Sequence, residues 1–122
     1  MKSFQSVSLS LALLLGLTIS GCHRREKIDA TKPLEQSFQQ SEPEVKQTIQ
    51  AVNSQLKSGN YRDALQNLTP VVSNRELSQA QKQAIGAALK QVENAAAADP
   101  KLNTPEMYQL RLKMVRALHE KR

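Results

Sequence analysis

The sequence contains few of the residues from which catalytic and cofactor sites are usually built. Its 122 residues include one cysteine, two histidines, four glycines and no tryptophan. A single cysteine forms no disulfide within the chain and no multi-thiolate metal site. The glycines do not cluster into a phosphate-binding loop, and neither histidine has a nucleophile partner or a metal-ligand spacing in the sequence. We therefore predict no enzyme activity, no metal and no cofactor.

Aromatic residues are scarce as well, at 3% of the chain, which leaves few rings on which nucleobases could stack. The net charge is nevertheless +6, from 17 basic and 11 acidic residues. Such an excess favours acidic partners, but it also keeps a small protein in solution without any binding role. We predict no nucleic-acid partner and no small-molecule substrate, and an anionic polymer or lipid surface stays open as an alternative partner.

The longest apolar run lies near the N-terminus, over the 13 residues from 7 to 19, and follows a positive charge at Lys2. A transmembrane helix needs about 20 apolar residues, whereas a shorter run after a positive charge is typical of a secretory signal. The run ends in Ile19-Ser20-Gly21-Cys22, an aliphatic residue followed by two small residues and the cysteine. This ending resembles the lipobox of small bacterial lipoproteins.

The resemblance to bacterial lipoproteins implies cleavage before Cys22 and attachment of lipid to its sulfur. It predicts a signal peptide at residues 1–21, a lipidated cysteine with a mostly flexible tether at 22–41, and one α-helical domain at 42–122. In such lipoproteins an aspartate after the cysteine is typical of inner-membrane retention, so His23 favours the outer membrane, facing the periplasm. The alternative is an ordinary secreted protein with an incidental cysteine.

After the tether, the sequence predicts an all-α domain of about four helices in two antiparallel hairpins. The first helix is expected over residues 42–58, where Ser41 and Glu44 have the spacing of a capping box. Residues 34–41 stay open between tether and helical extension, because Pro43 interrupts an otherwise helical pattern. A narrow apolar stripe predicts an edge helix that contacts its neighbours from one side; the stripe consists of Val45, Ile49, Val52 and Leu56.

The second helix follows the three-residue connection Ser58-Gly59-Asn60, which requires an antiparallel neighbour. The junction is similar to the helix-turn-helix of a tetratricopeptide repeat in its residues Gly59, Tyr61, Ala64, Leu65 and Leu68. This resemblance covers about ten residues and implies a repeat-like hairpin. Any short helical hairpin needs the same residue types for the same steric reasons. Pro70 is expected to kink or end the second helix.

The second predicted hairpin joins a helix over residues 78–98 to one that begins at Thr104-Pro105 and runs close to the C-terminus. The last helix has a wide apolar arc, formed by Met107, Tyr108, Leu110, Leu112, Met114, Val115 and Leu118. Such an arc is either buried against two neighbours or partly exposed for a partner. Since repeat-type hairpins usually need about three units to close a core, we expect apolar surface for a partner or a second copy.

Arg111 projects from the middle of this arc. Its charge either reaches water with its stem on the core, pairs with Asp63 or Glu93, or receives a ligand. Lys113 and Arg116 share the opposite face with carboxylates, as on an ordinary solvated surface. The predicted sites are lipidation at Cys22 and an interaction surface at Leu110, Arg111, Leu112, Lys113 and Arg116.

The sequence as a whole predicts a lipid-anchored, periplasm-facing α-helical module that holds a protein partner or associates with itself. The alternative is a binder of anionic envelope polymer or lipid headgroups through the basic surface.

Overall fold

The computed structural model describes residues 27–120, so the predicted signal peptide and Cys22 lie outside the described residues. All regular structure in this range is helical, which confirms the predicted all-α class. The α-helices are α1 (Thr31–Ser37), α2 (Pro43–Ser58), α3 (Tyr61–Ser73), α4 (Gln79–Ala98) and α5 (Pro105–His119), and a 3-10 helix at Pro100–Leu102 connects the last two.

Local interactions determine where α4 and α5 begin and where α2 ends. The Ser78 hydroxyl accepts a hydrogen bond from the backbone N–H of Gln81 (3.1 Å), and the Gln81 side chain accepts one from the Ser78 N–H (2.9 Å), which forms a capping box. Thr104 caps α5 through the N–H of Met107, at 3.2 Å. Gly59 ends α2 with a φ of 80°, a conformation that costs glycine little.

Two details at prolines differ from the prediction. The Ser41–Glu44 capping box is wrong, because α2 begins at Pro43 after Glu42, without a side-chain cap. Proline in the first helical position has a fixed φ that suits the helix and lacks only an N–H that would have no helical partner. Pro70 does not end α3, which continues to Ser73.

The folded domain begins before the predicted boundary at residue 42. Ala30, Leu34 and Phe38 are buried in the core, and α1 packs against both α2 and α4. The prediction of a flexible tether is therefore wrong for residues 30–33, and of the two alternatives left open for residues 34–41 the structure shows the helical extension, which continues to Ser37. Burial of an alanine, a leucine and a phenylalanine supplies the stabilisation that orders this segment.

Hydrogen bonds from distant helices hold the start of α1. The backbone N–H of Ala30 donates to the side-chain oxygen of Gln91 on α4, at 3.0 Å. On the other side, the Asn53 amide of α2 donates to the carbonyl of Thr31, also at 3.0 Å. The first bond satisfies an N–H at the start of α1, where no helical acceptor is available, and the second bond ties the first turn of α1 to α2.

The Asp29 carboxylate also supports the first turn of α1. It accepts hydrogen bonds from the hydroxyl of Thr31 (2.6 Å) and from the backbone N–H of Thr31 (3.0 Å). The hydroxyl bond first, then the backbone bond, and then the positive charge of Lys57, lower the pKa of Asp29 below its ordinary value. Each of these groups favours the ionised carboxylate.

The helices share one largely aliphatic core, in which α3 packs mainly between α2 and α5. The predicted hairpin of α2 and α3 forms, and α5 packs on α3 more extensively than on α4. An exposed ion pair joins Arg62 of α3 to Glu106 of α5, at 2.8 Å. As predicted for an edge helix, α2 buries only its one narrow stripe, and α1 and α3 both pack against it.

Candidate interaction surface on the last helix

The last helix, α5, buries only part of its wide apolar arc. Met107 and Met114 are buried, whereas the exposed large hydrophobic side chains of residues 27–120 are Tyr108 and Val115, at 53% and 38% of their surface. Between these extremes, three residues are partly buried and pack against the core: Leu110, Ala117 and Leu118. Of the two alternatives for such an arc, the structure therefore shows the partly exposed one.

A groove on the side of α5 brings four of the five predicted interaction residues together. Its volume is about 500 Å³, and Ser73 at the end of α3 contributes to it. The α5 residues that line it are Gln109, Leu110, Leu112, Lys113, Arg116, Ala117 and Glu120. Two cations, one carboxylate and aliphatic side chains make this groove amphipathic and moderately basic. Lys113 and Arg116, predicted to belong to a solvated face, are exposed but also line this groove.

Arg111, the fifth predicted residue, lies outside this groove. Its Nη2 donates to the side-chain oxygen of Asn103 at 2.9 Å, and its Nε is buried without a hydrogen-bond partner. Neither Asp63 nor Glu93 forms an ion pair with it, although both carboxylates belong to the described residues. The predicted ion pair is therefore wrong, and an amide in the loop before α5 takes its place.

Sequence reasoning missed the exposure of Tyr108 and Val115, which it placed near the centre of the arc. It also missed Asn103. A helical wheel shows that the arc is wide but does not show which edge a neighbouring helix covers. The signal that could have identified Asn103 is its position in the connection just before the Thr104 cap, within reach of a long side chain one to two turns into α5.

A second cleft, of about 330 Å³, lies between α1 and α2. Phe38 and Ile49 form its apolar floor and are themselves almost fully buried. Lys32 and Lys46 lie at its rim, and Asn53 contributes a side-chain oxygen that is buried without a hydrogen-bond partner. The sequence did not predict this cleft, because it depends on the unexpected packing of α1.

Within residues 27–120, no group of three or more histidine, cysteine, aspartate or glutamate side chains is arranged to hold a metal ion. No helix in the same range is long and apolar enough to cross a membrane. Comparison with known proteins finds no matching family model, no matching curated protein and no matching solved structure.

Proposed function

We propose that this protein is a lipid-anchored interaction module of the bacterial envelope, facing the periplasm, which holds a protein partner on α5. The observation that carries this proposal is the exposure of Tyr108 and Val115 on the same helix as the amphipathic groove. Exposed apolar side chains that adjoin one another and are flanked by charged residues are typical of protein interaction sites.

Because the folded domain begins at Ala30, only a short segment of chain separates it from the proposed lipid anchor at Cys22. Eight residue steps separate Cys22 from Ala30, where the folded domain begins. At about 3.6 Å per step the connection spans at most about 29 Å. The 20 residues of α4 measure about 30 Å at 1.5 Å per residue, so the domain would stay within roughly its own length of the bilayer. This reach favours a partner that is itself close to the membrane.

The anchor is tested by mass spectrometry of the protein isolated from membrane fractions. A mature chain that starts at Cys22 and carries acyl chains supports the anchor. We expect the Cys22→Ala variant to lose the acyl mass and to accumulate either as released domain or as uncleaved precursor. An unmodified cysteine in a freely diffusing chain with Met1 intact would refute the anchor and the localisation together.

The interaction surface is tested separately, by a photo-crosslinking amino acid placed at Val115 in intact cells. The matched control position is Gln47, which is exposed on α2. A discrete adduct at Val115 that is absent at Gln47 supports the proposal. Equal adduct patterns at both positions, or no adduct at Val115, would contradict it.

An alternative is direct binding of anionic lipid headgroups or envelope polymer, and the observation that favours it is the presence of Lys113 and Arg116 in the groove. Co-sedimentation with vesicles that contain anionic lipid distinguishes the two. Binding through exposed cations would fade between low salt and about 0.5 M salt, because screening shortens the range of surface charges to well under 10 Å. Binding of a protein through apolar contacts would be much less sensitive to salt.

A further inference from the structure

Among residues 27–120, no carboxylate pairs with the charge of Arg111. Arg62 and Arg75 each pair with a glutamate, at 2.8 and 3.3 Å, whereas the half-buried Arg111 has only the neutral amide of Asn103. Its Nε is buried without any partner. A buried unpaired donor costs free energy, and the single bond to Asn103 leaves the terminal nitrogens able to donate to a further acceptor.

Arg111 lies between the two exposed hydrophobic residues of the described chain. At 100° per residue, Tyr108, Arg111 and Val115 fall within about 60° of each other on the surface of α5. Tyrosine and arginine are the residue types that most often dominate the energetics of protein interfaces. The three side chains therefore adjoin one another on α5, with the charge of Arg111 on the side of the patch that faces the core.

A second copy of the chain is a poor occupant for this patch. In a symmetric dimer the same surface meets itself, so the positive charge of Arg111 in one copy would face that of Arg111 in the other. Like charges across an interface oppose association. Charge complementarity favours a different protein that carries a carboxylate at this point.

We propose that Tyr108, Arg111 and Val115 form a docking site for an acidic segment of a partner protein. A glutamate or aspartate carboxylate of the segment binds the terminal nitrogens of Arg111, and an adjacent apolar side chain covers Tyr108 and Val115. The Asn103 bond orients the guanidinium before binding, which reduces the entropy lost when the carboxylate arrives. This inference rests on the proposed interaction function and specifies the chemistry of its partner.

The test uses a library of random 12-residue peptides displayed on phage, selected against the purified full chain. Enriched peptides are synthesised in their acidic form and with the acidic residue replaced by its amide. Their affinities are measured for the wild type, for Arg111→Met, and for the control Lys90→Met, which removes an exposed positive charge on α4. The control separates a specific contact from a general effect of net charge.

We expect the selected peptides to carry an acidic residue next to an apolar one. Arg111→Met and the peptide amide should each weaken binding at least tenfold, with no further loss when they are combined, and Lys90→Met should change it less than twofold. Enriched peptides without an acidic residue, or equal binding to Arg111→Met, would overturn the role of Arg111 while leaving an interaction function intact. No enrichment at all, together with no adduct at Val115 in cells, would overturn both proposals.

Thermal unfolding separates docking from a structural role. If Arg111 mainly stabilises the loop through Asn103, the unfolding midpoint of Arg111→Met should fall clearly. The docking role predicts a midpoint that is unchanged or higher, because methionine leaves no unpaired donor in a partly apolar site. A large decrease in the midpoint with unaltered peptide affinity would refute the proposal.

Discussion

Leu34 provides the sharpest test of where the folded domain begins. Its side chain is completely buried on α1, at the start of the segment 34–41 for which the sequence left both a tether and a helical extension open. If α1 is an integral part of the core, Leu34→Ala leaves a cavity among α1, α2 and α4. If instead residues 30–41 were a loosely attached tether, the same substitution would have almost no effect.

The expected loss of stability in Leu34→Ala follows from the complete burial of the leucine side chain. A leucine-to-alanine change in a core costs about 2–5 kcal/mol, the sum of lost hydrophobic transfer and the cavity left behind. For about 90 folded residues the whole free energy of unfolding is about 4–13 kcal/mol. Leu34→Ala should therefore remove a large fraction of the total stability and lower the unfolding midpoint by at least about 10 °C.

The assay is thermal and urea unfolding followed by circular dichroism at the helix band. Gln36→Ala is the matched control, since Gln36 lies exposed on the same helix and should change stability by less than about 0.5 kcal/mol. Equal stabilities of Leu34→Ala and Gln36→Ala would show that α1 does not belong to the cooperative core. The two bonds from Gln91 and Asn53 would then be insufficient to hold it.

Three further predictions concern local structure. Gly59→Ala should destabilise by about 1 kcal/mol because φ is 80° there, whereas Gly86→Ala, inside α4 with open space around it, should stabilise by about 0.5–1 kcal/mol, both measured by urea unfolding. Ser78→Ala should cost about 1 kcal/mol through its capping box, and Ser41→Ala, at the predicted box that does not form, less than about 0.5 kcal/mol. The Asp29 carboxyl should titrate below its ordinary value in an NMR pH series, since hydroxyl and backbone N–H bonds lower its pKa. The ionised Asp29 carboxylate contributes to the free energy of unfolding above its unfolded-state pKa, and this contribution is lost as pH falls through its folded-state pKa. Asp29→Asn should therefore weaken the decrease of the unfolding free energy at acid pH. An unchanged decrease would contradict this account.

The helices that the sequence predicted well are those whose ends are encoded locally. Ser78 and Gln81 form a cap across three residues, and Thr104 with Pro105 starts α5 in the same local way. Gly59 marks the turn between α2 and α3 through its own backbone conformation. Interactions within one turn of helix can be deduced from residue order, and these three helix ends lie where the sequence placed them, whereas the Ser41–Glu44 box does not form because Glu42 precedes the first turn of α2.

The start of the domain could not be predicted in this way, because distant residues determine it. Gln91 is 61 positions away from the Ala30 N–H that it binds, and Asn53 is 22 positions away from Thr31. Neither polar side chain appears in an apolar pattern. Pro43 correctly indicated the start of α2. It does not prevent a separate helix, α1, from forming before it.

The contrast between α2 and α5 explains why the candidate surface lies on the last helix. All four members of the narrow stripe of α2 are buried, since α1 and α3 together cover it. The arc of α5 is wider, but α3 covers most of what is buried, and α4 contributes little contact. The uncovered edge contains Tyr108 and Val115, with Arg111 between them and the core. Apolar surface that the other described helices leave uncovered, next to an arginine that pairs with no carboxylate of residues 27–120, is the reason for proposing α5 as the surface that binds a partner.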